Sequence, residues 1–148
     1  MTLRATPLTT THLAGKSMSP RSILIVDDEA NQRLMLEQAF RSLDGSQQIV
    51  TAASVREALD YLAQHTPTLI ITDYHMPAVN GLTLIAHVRE HAIPTRIILI
   101  TAYNSPELQD AALRLKVDHC LTKPVPLALL RRLASSVLGE PPTPVSAA

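Results

Sequence analysis

Five polar side chains of this 148-residue chain stand where short apolar runs end. Ile23-Leu24-Ile25-Val26 runs into Asp27-Asp28, and Leu69-Ile70-Ile71-Thr72 into Asp73. Ile97-Ile98-Leu99-Ile100 runs into Thr101, and Leu121-Thr122 into Lys123. β-Branched apolar runs of this length, bounded by turn residues, predict strands of a parallel sheet buried on both faces. The carboxyl ends of such strands share one edge, where ligands sit. Three carboxylates, a hydroxyl and an ammonium are therefore expected to converge. Clustered carboxylates suit a hard cation, and the added ammonium and hydroxyl suit a phosphoryl group.

The elements that must position these groups alternate. A strand at about Ser22 to Val26 precedes a helix at about Ala30 to Leu43, whose apolar face is read as Leu34, Leu36, Ala39, Phe40 and Leu43 and whose end is Asp44-Gly45. Gln48 to Ala52 reads as a short edge strand. Ser54 and Glu57 form a capping box for a helix with a Val55, Ala58, Leu59, Leu62 stripe. The third strand is Thr68 to Thr72, followed by a loop marked by Met76-Pro77 and Asn80-Gly81. Leu82, Leu84, Ile85 and Val88 carry the next helix, which stops before Pro94. After a strand at Arg96 to Ile100, Ser105-Pro106 opens the fourth helix. A brief strand, His119 to Thr122, leads to a last helix from Pro126 to Leu138, ended by Gly139. Five βα units predict an α/β fold, a doubly wound, flavodoxin-like (βα)5 parallel five-stranded sheet with helices on both faces.

Taken in order, the acid pair Asp27-Asp28, the strand-ending Asp73 with Met76-Pro77 and Gly81 behind it, Thr101-Ala102, and Lys123-Pro124 resemble the receiver domain of two-component response regulators. The resemblance covers about Ser22 to Leu138. It implies that Asp73 is the phosphoacceptor and nucleophile, and that Mg²⁺ is held by Asp28 and Asp73, by Asp27 through water, and by the backbone carbonyl of His75. It implies that Lys123 neutralises phosphoryl charge, that Thr101 contacts the phosphoryl group and relays its presence, and that the Lys123–Pro124 bond is cis. The implied phosphodonor is a histidine kinase or a histidine phosphotransfer protein. The implied output is a protein partner docked on the face of the fourth helix, fifth strand and fifth helix, where surplus leucines (Leu127, Leu129, Leu130, Leu133) also suit a homodimer. Apart from self-phosphorylation and self-dephosphorylation, no enzymatic activity is expected.

The chain departs from that family at one switch position. An aromatic ring is usual three residues before the Lys, and here Cys120 stands there. Tyr103, two residues past Thr101, is the aromatic nearest the site in sequence. His75 and Tyr103 occupy the two positions that tune phosphoryl lifetime in the family. The histidines show no metal-ligand spacing; His65, His87, His91 and His119 read as surface or boundary residues.

Composition narrows the classes. A 46% apolar fraction supports a packed core, and zero formal net charge offers no field for nucleic acid or anionic lipid. A single cysteine allows no internal disulfide, which with the absence of a 20-residue apolar span leads to a cytoplasmic expectation. The domain is expected over residues 21–139, with tails at 1–20 and, rich in proline, at 140–148. Met18 as an alternative start and a transit peptide are the other readings of the first segment. No basic recognition helix follows the domain, so output through a partner, or a longer regulator of which this is a piece, is expected. Two rival readings stand beside the phosphoacceptor. A receiver-like adaptor that is never phosphorylated predicts a broken acid pocket. An aspartate-nucleophile phosphatase places its nucleophile on the first strand with a second acid two residues later; here position 29 is Glu, directly after the adjacent Asp27-Asp28 pair, so the spacing does not match.

Overall fold

The structure, a computed structural model, describes residues 21–41 and 47–139. The tails expected at both ends, Met18, Leu43 and Asp44-Gly45 lie outside them. The strands are β1 (Arg21–Val26), β2 (Gln47–Ala52), β3 (Leu69–Asp73), β4 (Arg96–Thr101) and β5 (His119–Thr122). The helices are α1 (Ala30–Arg41), α2 (Val55–Leu62), α3 (Gly81–Glu90), α4 (Pro106–Arg114) and α5 (Leu127–Leu138). All strand pairs are parallel, in the order β2-β1-β3-β4-β5. The direction of winding reverses between β1 and β3, so a crevice is expected beyond their carboxyl ends.

Alternation along the central strands divides the core into two layers. Leu24, Ile70, Ile97 and Leu99 face α2, α3 and α4, where Val55, Ala58, Leu84, Ile85, Val88 and Leu108 meet them. Ile23, Ile25, Ile71, Ile98 and Ile100 face α1 and α5, against Leu36, Phe40, Leu130, Ala134 and Val137. Each such fully buried aliphatic side chain contributes about 1.5–3 kcal/mol, which is what presses five short helices onto the sheet.

Local signals set the boundaries. Ser54 Oγ accepts from Glu57 N at 3.1 Å, and Glu57 Oε1 accepts from Ala53 N at 2.8 Å, so the returning bond of the expected capping box falls on the residue before the cap. Ser105 Oγ caps α4 at Leu108 N, 3.1 Å away, with Pro106 at the first helical position. Asn80 caps α3 through Leu82 N and Thr83 N. Pro126 is the N-cap of α5 and lies just outside it. Asp73 is the last residue of β3, because Tyr74 N still bonds Ile100 O at 2.8 Å and prolongs the ladder.

Two apolar faces differ from expectation. Leu34 is 54% exposed and Met35 is also exposed, while α1 buries Leu36 and Phe40. At about 100° per residue, Leu34 lies nearly opposite Leu36 on the helix and cannot share its face. Of the four α5 leucines expected as a surplus, only Leu129, half-buried, belongs to neither core layer. Leu130 is buried, and Leu127 and Leu133 are half-buried against the sheet.

At the amino edge of the sheet, charged groups tie the elements together. Arg89 of α3 donates from Nε to Leu115 O (2.8 Å), from Nη1 to Thr95 O (3.2 Å) and from Nη2 to Lys116 O (2.9 Å). Arg96 Nε bonds Asp118 Oδ1 at 2.8 Å, and Asp118 Oδ2 accepts from Ile97 N at 2.8 Å. Burial pulls the Arg89 pKa below its ordinary value, and Asp118 draws it back.

Candidate functional site

The opposite, carboxyl edge gathers the groups singled out in the sequence. As the chain leaves β1, Asp27 is fixed from three sides. Its N–H donates to Ala52 O (3.1 Å), its carbonyl accepts from Arg33 Nη1 (2.7 Å), and its Oδ1 accepts from Glu29 N (2.9 Å). Asp27 is buried, whereas Asp28 beside it is exposed. Asp73 is held by the prolonged β3–β4 ladder, and its carbonyl also accepts from Thr72 Oγ1 at 3.0 Å. The chain then loops and returns so closely that a Cβ on Gly81 would stand 2.4 Å from Asp73 O. Only glycine can open α3 there.

Carboxylate oxygens of Asp27, Asp28 and Asp73 lie within 4.8 Å of one another. Lys123 reaches across from the end of β5, where its N–H bonds Thr101 O at 2.8 Å and its bond to Pro124 is cis. Its Nζ stands 3.1 Å from Asp73 Oδ1. That ion pair is the one contact found for the buried Asp73 Oδ1 among the described residues. Three acids that share one ammonium make a poor resting arrangement and a good cation seat. Octahedral Mg²⁺ ligands at about 2.1 Å stand roughly 3–4 Å apart, close to the spacing found. The residues fit the ion.

Electrostatics agree. Burial raises the pKa of Asp27, and the Asp73 and Asp28 charges add to the rise, against the Glu29 amide and Lys123. Burial likewise raises Asp73, with Lys123 opposing and Asp28 reinforcing. Both acids therefore gain from a cation that would neutralise their mutual repulsion.

Thr101 is buried at the end of β4, but its hydroxyl is turned to its own loop. Oγ1 donates to Tyr103 O (2.9 Å) and accepts from Tyr103 N (3.2 Å). The Tyr103 ring is 72% exposed, so its backbone, not its ring, engages Thr101. Cys120 is half-buried against the α2–α4 layer, and burial pushes its thiol pKa up, which favours the inert protonated form. His75 lies two residues beyond Asp73, exposed, its ring edge-on to Tyr74 at 4.7 Å between centroids. The roles of Gly81 and of Arg33, which braces the Asp27 carbonyl, were not read from sequence as contacts. An i, i+6 pairing across a turn has no periodic signature.

Comparison with known proteins agrees with this geometry. The family model described as the response regulator receiver domain matches residues 23–135. A 14.6 kDa protein encoded beside sodA1 in Leptolyngbya boryana is 36% identical over 132 residues, which are 86% of this chain and 98% of that protein. The Regulator of RpoS of Escherichia coli K12 is 40% identical over 105 residues, or 71% of this chain. This chain spans only 31% of that regulator's length. Among solved structures, a response regulator receiver protein from Pseudomonas putida superposes with a TM-score of 0.72 at 30% identity, covering 80% of this chain and 98% of that one.

Proposed function

We propose, from the premise that this chain belongs to the response regulator receiver family, that Asp73 accepts a phosphoryl group from the phosphohistidine of a histidine kinase or histidine phosphotransfer protein. A carboxylate oxygen of Asp73 forms the new bond to phosphorus as the bond from phosphorus to the donor imidazole nitrogen breaks. The single observation that carries this reading is the buried Asp73 carboxylate, set 3.1 Å from Lys123 Nζ and clustered with two further acids.

Asp27, Asp28, Asp73 and the backbone carbonyl of His75 would hold Mg²⁺, which when bound supplies positive charge against the phosphoryl oxygens. Lys123 supplies a second positive charge on the other side, where electrostatic stabilisation does most of the work. Thr101 reaches the phosphoryl group only by leaving Tyr103. That exchange gives up hydrogen bonding of about 1 kcal/mol and regains it at a charged acceptor, where it is stronger. The backbone of Tyr103 at the entrance to α4 is thereby released when Asp73 is loaded.

Receivers signal by docking, and the reading assigns output to the face of α4, β5 and α5, to a protein partner or a second copy, with no nucleic acid contact. Catalysis is limited to the chain's own phosphorylation and dephosphorylation. The reading assigns signalling to residues 21–139 and the cytoplasm as the compartment. Among the described residues no helix is long and apolar enough to cross a membrane.

Incubation with Mg²⁺ and acetyl phosphate, followed by intact-mass measurement, tests the assignment. One phosphate adduct is expected in the native chain and none in Asp73→Asn. Equal labelling of the variant would remove Asp73 from the role.

A further inference from the structure

A cavity of about 510 Å³ opens on the α1–α5 side of the sheet and runs up to the acid cluster. Its walls include Met35 and Leu36 of α1, Ile100 of β4, Val125, and Leu127 and Leu130 of α5. Met35 and Pro124 in its lining are exposed, so the space communicates with solvent. Its volume is that of a small-molecule site, and a largely apolar pocket with a few converging polar groups is the usual form of one.

The polar end defines the ligand. Asp27 and Asp73 supply two negative charges there against one positive charge from Lys123. The Asp73 side chain is only 7% exposed and is ion-paired to Lys123 at 3.1 Å, which leaves one carboxylate charge of the two without a counter-charge in the cavity. A buried acceptor with excess negative charge around it selects a cationic donor, and the apolar walls select the body that carries it. We propose that this cavity binds a small hydrophobic primary amine, its body against Leu36, Ile100 and Leu130 and its ammonium donating to Asp27 and Asp73.

The same carboxylates hold the cation in the phosphoacceptor reading, so amine and Mg²⁺ exclude each other. By linkage the amine lowers the apparent Mg²⁺ affinity and holds the protein in a form that does not accept phosphate. This regulatory consequence rests on the phosphoacceptor reading; the binding does not.

Calorimetric titration of the full chain without Mg²⁺ provides the test, with 2-phenylethylamine and its uncharged analogue 2-phenylethanol as probes. The amine is expected to bind about tenfold more tightly than the alcohol, or better, as one charge-assisted hydrogen bond requires. The apparent Kd for Mg²⁺ should rise in proportion to amine concentration. Val125→Phe, which adds bulk to the apolar wall, should weaken the amine about tenfold and leave Mg²⁺ binding intact; Leu127→Phe serves if that variant does not fold. Equal affinity for the two probes, no binding of the amine at about 10 mM, or a Mg²⁺ affinity indifferent to the amine would each overturn the proposal. Failure of acetyl phosphate labelling without amine would instead overturn the phosphoacceptor reading and leave the binding result standing.

Discussion

Two partly buried charge clusters sit at opposite edges of one sheet, and they are built on opposite principles. At the amino edge, each nitrogen of the Arg89 guanidinium meets a main-chain carbonyl, and both Asp118 oxygens meet donors. At the carboxyl edge, three acids share one ammonium, which stands 3.1 Å from an Asp73 oxygen. Burial perturbs both, as the pKa directions of Arg89, Asp27 and Asp73 show. Perturbation alone therefore does not identify a functional site. The distinguishing mark is saturation: the closed network fastens α3 and the α4–β5 turn to β4, and the open one waits for a ligand.

The contrast is broken most sharply by removing its structural half. Asp118→Ala leaves Ile97 N–H without its carboxylate and strips Arg96 of a half-buried ion pair. A loss of about 3 kcal/mol is expected in urea unfolding, with or without Mg²⁺. A loss under about 0.5 kcal/mol would place this cluster with ordinary surface pairs.

The mirror experiment at the other edge should move the other way. Asp27→Asn keeps the acceptor for Glu29 N and deletes one repelling charge. In the absence of Mg²⁺ the variant should be more stable than the native chain by about 1 kcal/mol, and most of the stabilisation that millimolar Mg²⁺ gives the native chain should vanish. Destabilisation of the metal-free variant would mean that Asp27 is a structural acid.

The mildest effect is a pH dependence. The folded-state pKa values of Asp27 and Asp73 lie above the reference value of 3.8, so between 3.8 and those raised values the native state binds more protons than the unfolded chain. Their contribution to stability is full below 3.8 and is lost as pH rises through the raised values. Melting temperature of the metal-free protein should thus climb on mild acidification, and the slope should shrink in an Asp27→Asn, Asp73→Asn double variant. An identical slope in both proteins would assign the pH dependence to other groups.

What could be read in advance followed from repetition and punctuation. Apolar runs ending in Asp27, Asp73, Thr101 and Lys123 announced both the strands and the edge they share, and Ser54, Ser105 and Gly139 announced helix ends. The exposure of Leu34 was legible too, had its angular position been weighed above its hydrophobicity. The Arg89 clamp was not, because its partners at Leu115 and Lys116 are carbonyls, which every residue carries. Nor was the resting bond of Thr101 to Tyr103, since a hydroxyl has several local partners and only the loop geometry chooses. The cavity escaped for a related reason: a shortfall of atoms between helices distant in sequence leaves no mark on either helix.

Gly81 carries a consequence of a different kind. Its backbone lies so close to the Asp73 carbonyl that no side chain fits between them. The end of β4 is tied to the loop before α4 through the Thr101 hydroxyl, a group that substitution can lengthen, weaken or delete. The path to α3 is main chain against main chain, like two gear teeth cut from one blank. A drifting sequence is free to retune the first and has almost no vocabulary with which to rewrite the second. Diversification of output among chains sharing this layout should therefore accumulate on the α4 side, while the seating of α3 on the acceptor strand stays the fixed pivot about which it happens.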